Sequence, residues 1–312
     1  MEARIRPVLA LVLALAAALP ATSATSVTTT AGQDRADRVV SDDTGTAFRV
    51  AETPRRIVSL APNITEILFA LGLGDRVAGV TRYCDYPPAA LSVDKVGGLL
   101  DPDLEKIRSL RPDLVIAFRG NPWDAIDRLR GLGLRVFVLD IGRTLADVPR
   151  TIENIGRITL REKEAAVLVR SLEDKARALS LALGAAVRKP KVFIELQGLG
   201  LSTCGGDSYL NDLLERARGV NVAAAIRRDW LEYSRERLIQ DDPDIILVMA
   251  RTDADFARAR AWFETQGGLK DIRAVRTGRI LRLDENAASR FGPRLYDALV
   301  ELARLLHPDL IQ

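Results

Sequence analysis

The stretch "LEKIRSLRPDLVIAF" at residues 104–118 returns in altered form as "RERLIQDDPDIILVM" at residues 235–249. Each copy reads as a short helix, a proline that cannot continue it, and an apolar run suited to a strand covered on both faces. Glu105 stands seven residues before Pro112, and Glu236 stands seven before Pro243. A chain that carries one helix-to-strand station twice is constrained to two related α/β halves. With 312 residues, 47% of them apolar, it can bury the cores of two domains.

The flanking pattern supports this. From Arg55 onward "RIVSL" reads as a strand, "APN" as a loop and "ITEILFALGLG" as an amphipathic helix, with Asn63 placed to cap it and Glu66 as the capping-box partner. "RVAGVT", "PDLVIAF" and "RVFVLD" are further strands separated by helical segments, an alternation that gives a mostly parallel sheet with helices on both faces. Residues 144–187 keep helical spacing without a strand. Pro149 fits an early turn there, a break is expected near Gly156–Thr159, and the part from Glu162 to Leu183 reads as a long rigid spacer. "KVFIEL" then starts a second unit of strands and helices. The expected fold is α/β: two doubly wound lobes, residues 55–143 and 188–312, joined by a helical linker over 144–187, with a ligand cleft between the lobes.

Ahead of the lobes, "MEARIRP" is a positive start, "VLALVLALAAALP" an apolar run too short to span a bilayer, and "ATSA" a small-residue cleavage site, so residues 1–24 read as a secretory signal peptide. Residues 25–54 are polar and weakly periodic, which suggests a flexible lead-in with an edge strand at "AFRV". The expected product is a soluble exported protein. Removing the two arginines and one glutamate of the leader lowers the formal charge from +3 to +2, too small a surplus to indicate nucleic acid. Cys84 and Cys204 could form a disulfide in an oxidising compartment or remain two separate buried thiols.

Chemistry-bearing motifs are scarce. The one histidine, His307, suits the end of the last helix, and so thin a supply of ligands leaves no metal site. No G-x-S-x-G, H-E-x-x-H or G-x-x-x-x-G-K-[ST] string occurs, and nothing points to an enzyme or to a cofactor. What stands out are loops, at the ends of strands, rich in groups that grip large amphipathic ligands: Tyr83, Phe118, Arg119 and Trp123 in the first half, Trp230, Tyr233, Arg290 and Arg294 in the second. Arg82, Tyr86, Asn121 and Phe291 belong to the same loops.

The strings "PRRIVSLAPNITEILFALGLGDRVAGVTRYCDYP", "LEKIRSLRPDLVIA" and "YSRERLIQDDPDIILV" resemble the periplasmic substrate-binding proteins of ABC importers for cobalamin, haem and ferric siderophores. The resemblance runs from Arg55 to the C-terminus and implies two lobes on one long helix, a shallow cleft and little hinge motion. Among these proteins the chain is most similar to the cobalamin binders, through Tyr83 in "TRYCDYP", Arg119 in "AFRGN" and Trp230 in "DWLEYSRE". It departs from them at "GGLLDPD", where Leu99 or Leu100 stands in place of a tryptophan facing the corrin. The implied ligand is a corrinoid, cobalamin first, with haem or a ferric siderophore as the alternative. The implied partner is an ABC permease dimer with its ATPase, docked through Glu105 and Glu236, one on each lobe. An enzyme acting on a tetrapyrrole would share the two-lobed plan, but the signal peptide and the shortage of metal ligands argue against it.

Overall fold

A computed structural model describes residues 38–140, 142–196 and 200–311, all within one compact unit; the expected signal peptide lies outside them. A hairpin of β1 (Arg38–Ser41) and β2 (Ala47–Val50) comes first. The N-terminal lobe follows with β3 (Ile57–Ser59), α1 (Pro62–Ala70), β4 (Val77–Val80), α2 (Leu104–Ser109), β5 (Leu114–Phe118), α3 (Trp123–Gly131) and β6 (Val136–Leu139). Helices α4 (Val148–Thr159) and α5 (Glu162–Ala182) connect it to the C-terminal lobe. That lobe contains β7 (Lys191–Glu195), β8 (Ser202–Cys204), α6 (Tyr209–Arg216), β9 (Val220–Asn221), β10 (Trp230–Glu232), α7 (Arg235–Asp241) and β11 (Ile245–Ala250). It ends with α8 (Asp253–Thr265), α9 (Arg273–Arg276), β12 (Ile280–Asp284), α10 (Glu285–Ala288) and α11 (Leu295–Leu306).

Each lobe is built on a four-stranded parallel sheet, ordered β4-β3-β5-β6 in the first and β9-β7-β11-β12 in the second. The two orders are the same, and the repeated stretch occupies the same station in both: α2 leads into β5, and α7 into β11. The local chemistry repeats with it. Asp103 caps α2 by accepting the Lys106 amide hydrogen at 2.9 Å, and Ser234 caps α7 by accepting that of Arg237 at 3.1 Å. After each helix a non-glycine residue adopts a left-handed turn, Arg111 at φ 46° and Asp242 at φ 42°, ahead of the proline. The aspartate after the proline then reaches back to the start of the lobe's first strand. Asp113 accepts the amide hydrogens of Arg55 (2.7 Å) and Arg56 (3.1 Å), and Asp244 accepts that of Lys191 (2.9 Å).

The outer face of each sheet has its own apolar layer. Val58 and Val115 pack with Ile107 of α2 and Ile126 of α3, while Phe193 and Ile246 pack with Leu238 of α7 and Phe263 of α8. The inner faces do not separate into one core per lobe. Ile64 of α1, Ile155 of α4, Leu172 of α5, Leu213 of α6 and Leu299 of α11 belong to one continuous apolar core, because α5 packs against both α4 and α11. The linker breaks at Leu160 (φ 56°), just beyond the expected point. Gly156 is needed where α5 doubles back, since a Cβ there would stand 2.7 Å from the Ala165 methyl.

One expectation is corrected, and one open alternative is decided. The strand expected at "AFRV" is present as β2, but residues 38–50 are not a flexible lead-in. Asp42 accepts amide hydrogens from Thr44 and Thr46 (2.9 Å each) and from Val138 (3.1 Å), and Asp43 accepts that of Asp140 (2.7 Å), so the polar turn of the hairpin is tied to the end of β6. Nor do the cysteines pair: both are free and buried in their own lobes. Cys84 sits within 3.2 Å of the Thr65 hydroxyl and 3.1 Å of that of Thr81, and Cys204 lies 3.7 Å from the Asn221 amide. Burial raises both thiols, Cys204 to about 12, so neither is a reactive thiolate at neutral pH. A thiol assay on unreduced protein should therefore give two thiols per chain in denaturant and little reaction in the native state; no free thiol in denaturant would restore the bridge.

Candidate functional site

Loops leaving the carboxyl ends of parallel strands are where open α/β sheets bind ligands, and here they converge from both lobes. Ala61 to Asn63 follow β3, Arg82, Tyr83 and Asp85 follow β4, and Phe118 ends β5. From the other side come Arg251 after β11, and Asn286, Ser289, Arg290 and Phe291 after β12. Together with Leu99 they enclose about 470 Å³, within the range of small-molecule sites.

One buried amide organises the N-terminal wall. The Asn121 side-chain oxygen accepts the Phe118 amide hydrogen at 3.0 Å, and its nitrogen donates to the carbonyls of Leu60 (3.2 Å) and Leu99 (2.9 Å). The loops after β3 and β5 and the Leu99 loop are thereby fixed to each other. Gly120 leaves room for the aromatic wall, because a Cβ there would fall 2.1 Å from the Phe118 ring.

The electrostatics of the cleft centre on Glu66, whose side chain is 2% exposed. Arg294 donates to it through Nε at 3.0 Å and Nη2 at 2.6 Å, and Arg290 through Nη1 at 3.3 Å. Arg290 also bonds the Asp85 carboxylate, the Tyr83 carbonyl (3.2 Å) and the Asn286 side-chain oxygen (3.2 Å). Burial opposes ionisation of Asp85, but the hydrogen bond and charge of Arg290, with the charge of Arg294, outweigh it and hold its carboxyl below the usual carboxylate range. Arg294 further lies over the Tyr86 ring, 4.1 Å from its centroid. Glu66 and Asn63 are therefore not a capping box: Ala61 is the N-cap of α1, and the Asn63 amide donates across the cleft to the Phe291 carbonyl at 3.1 Å.

The expected ligand residues divide. Tyr83, Phe118 and Arg290 line the pocket, and Arg294 stands directly behind it. Trp230 is about half exposed and meets Tyr209 edge-on (6.0 Å), which in turn meets Phe291 (5.8 Å), a chain of rings leading to the pocket wall. Trp123 is exposed at the start of α3, and Arg119 donates to the Asp43 carbonyl at 3.2 Å; neither lines the pocket. Tyr233 is a correction: it is buried against Phe193, and its hydroxyl lies 2.5 Å from Asp241, so it anchors the C-terminal core instead of meeting a ligand. Glu105 and Glu236 are exposed on α2 and α7, and neither forms an ion pair with a described residue. Asp85, Arg251, Asn286 and Ser289 were not expected. Asp85 and the last two sit inside loops already singled out, while Arg251 is marked only by following a buried strand.

Matched α/β lobes with a pocket at their facing strand ends define a two-lobed ligand-binding protein. Residues 57–287 match the periplasmic binding protein family, and the chain belongs to it. It is similar to an uncharacterized ABC transporter substrate-binding lipoprotein, YvrC of Bacillus subtilis, at 33% identity over 86% of this chain and 85% of that protein. It is also similar to a vitamin B12-binding protein of Photorhabdus laumondii, at 27% identity over 82% of this chain and 89% of the relative. Among solved structures, the periplasmic heme-binding protein RhuT from Roseiflexus sp. RS-1 in apo form superposes with a TM-score of 0.75 at 27% identity, covering 83% of this chain and 99% of that one. Proteins of the family bind transported ligands for ABC importers, which comprise a permease and an ATPase, and they are not enzymes.

Proposed function

We propose that this protein binds a corrinoid, cobalamin, in the interlobe cleft and delivers it to an ABC permease through Glu105 and Glu236. The observation that carries this reading is the charge state of the cleft. Arg82 is paired with Asp101 (2.5 Å), Arg251 with Glu285 (2.9 Å), Arg290 with Asp85 and Glu66, and Arg294 with Glu66. A ligand rimmed by neutral amides needs hydrogen-bond partners and an apolar floor, and Tyr83, Phe118, Leu99, Asn286 and Ser289 offer both. A ligand carrying carboxylates or catecholates needs unpaired guanidinium groups to meet it. The pocket is smaller than a whole corrinoid, so one face of the ligand rests in it, each square ångström of buried apolar area contributing roughly 25 cal/mol. Residues 1–24 act as the cleaved leader that brings a monomeric protein to the periplasm.

Haem is the second reading. Tyr83 places a half-exposed phenol in the pocket beside Arg82, whose Cζ is 5.8 Å from the ring centroid, and a tyrosinate can ligate ferric haem.

Titration of the mature protein with cyanocobalamin, haemin and a ferric siderophore, followed by heat and tryptophan fluorescence, separates the two. One-to-one cyanocobalamin binding is expected, weakened about tenfold or more by Tyr83→Ala and less by Trp230→Ala, which stands at the rim. Binding of haemin or the siderophore without cyanocobalamin would move the ligand to the alternative.

A further inference from the structure

The ion network around Glu66 spans the two lobes. Glu66 lies on α1, whereas Arg290 and Arg294 lie 224 and 228 positions later, on either side of Phe291. The side chains of all three are largely withdrawn from water, at 2%, 10% and 15% exposure. Glu66 has both carboxylate oxygens committed to guanidinium groups: one accepts from Arg294 Nη2 and Arg290 Nη1, the other from Arg294 Nε. Arg290 keeps a second acid, Asp85, in contact, whereas among the described carboxylates Arg294 is in ion-pair contact with Glu66 alone and reaches Asp85 only through its longer-range charge.

We propose that Glu66 is a specificity-determining residue of the cleft. By holding Arg290 and Arg294 across the lobe boundary, it cancels positive charge in the pocket wall and behind it, and so disfavours anionic ligands relative to neutral ones. This deepens the corrinoid reading and rests on it for the identity of the neutral ligand. The physical basis is that a buried guanidinium without its acid exerts a field little screened by water, and an anion in the adjoining pocket is the nearest group able to answer it. A carboxylate kept only to stabilise the fold predicts something different: its loss would weaken every ligand alike.

The test is Glu66→Gln, with Glu66→Gln/Arg294→Gln as its rescue, read as the ratio of haemin to cyanocobalamin affinity. Glu66→Gln should raise that ratio about tenfold or more, and the double variant, which removes one charge of each sign, should return it to within about threefold of the wild type. Equal weakening of both ligands, or no return in the double variant, overturns the proposal. A wild-type protein that binds haemin and not cyanocobalamin defeats the corrinoid reading alone; the ratio of haemin to haemin dimethyl ester then takes its place, with the same rise and return expected. The unliganded protein gives a second readout. Glu66→Gln should lower Tm and the double variant should recover part of the loss, whereas a Tm unchanged by Glu66→Gln overturns the compensation on which the proposal depends.

Discussion

Changing Glu105 and Glu236 together to alanine should abolish uptake of the ligand by cells while leaving the purified protein's affinity for it within about twofold, because exposed charges remote from a pocket contribute little to it. Both residues stand two positions after the N-cap of their helix, Asp103 for one and Ser234 for the other, and both helices lead into the third strand of the parallel sheet in their lobe. Neither is engaged by a described cation, so their removal leaves no buried partner unsatisfied. On the proposed docking role, two permease subunits related by a two-fold axis would present the same surface twice, and a pair of equivalent acids would answer it. Each single variant should retain part of the transport, since charge complementarity at an interface rim acts mainly on encounter and register. Uptake of labelled ligand and equilibrium titration decide the matter. Loss of affinity in proportion to loss of uptake would place the two glutamates in the cleft and end the docking role.

Asn121→Leu should destabilise the protein by about 3–5 kcal/mol, since it orphans three polar groups at roughly 1–3 kcal/mol each, partly relieved by local relaxation. The groups are the Phe118 amide hydrogen and the Leu60 and Leu99 carbonyls. Because those bonds fix Phe118 and Leu99, both pocket-lining, ligand affinity should fall about tenfold or more along with stability. Asn121→Asp keeps an acceptor for Phe118 but turns a carboxylate toward two carbonyl oxygens, so it should fare no better. Urea unfolding combined with ligand titration measures both effects. A stability change below about 0.5 kcal/mol would mean that the three loops hold their positions without this residue.

The sequence pattern made the fold legible where burial is two-sided. Runs such as "LVIAF" and "IILVMA" are strands in the interior of parallel sheets, and the proline ahead of each marks the preceding helix end. The candidate pocket was legible in part for the same reason, since Tyr83 and Arg290 follow strands and Phe118 ends one, and all three line it. What escaped was decided by distant partners. Asn63 and Glu66 have the spacing of a capping box, yet their partners lie more than 220 positions away in the other lobe. Tyr233 has the neighbourhood of a ligand-facing aromatic, but Asp241, one helix along, turns its hydroxyl into the core and burial raises it to about 12. The "SDDTGT" turn is polar because its acids accept backbone hydrogens, and composition cannot distinguish that use from solvation.

The apolar core shared by α4, α5 and α11 makes the protein mechanically stiff across its middle. Spreading the lobes would expose side chains such as Leu172 and Leu299 to water, so the elastic resistance rises from the first ångström of opening. If the proposed delivery requires the lobes to part, the work of opening that shared core has to be supplied from outside the molecule.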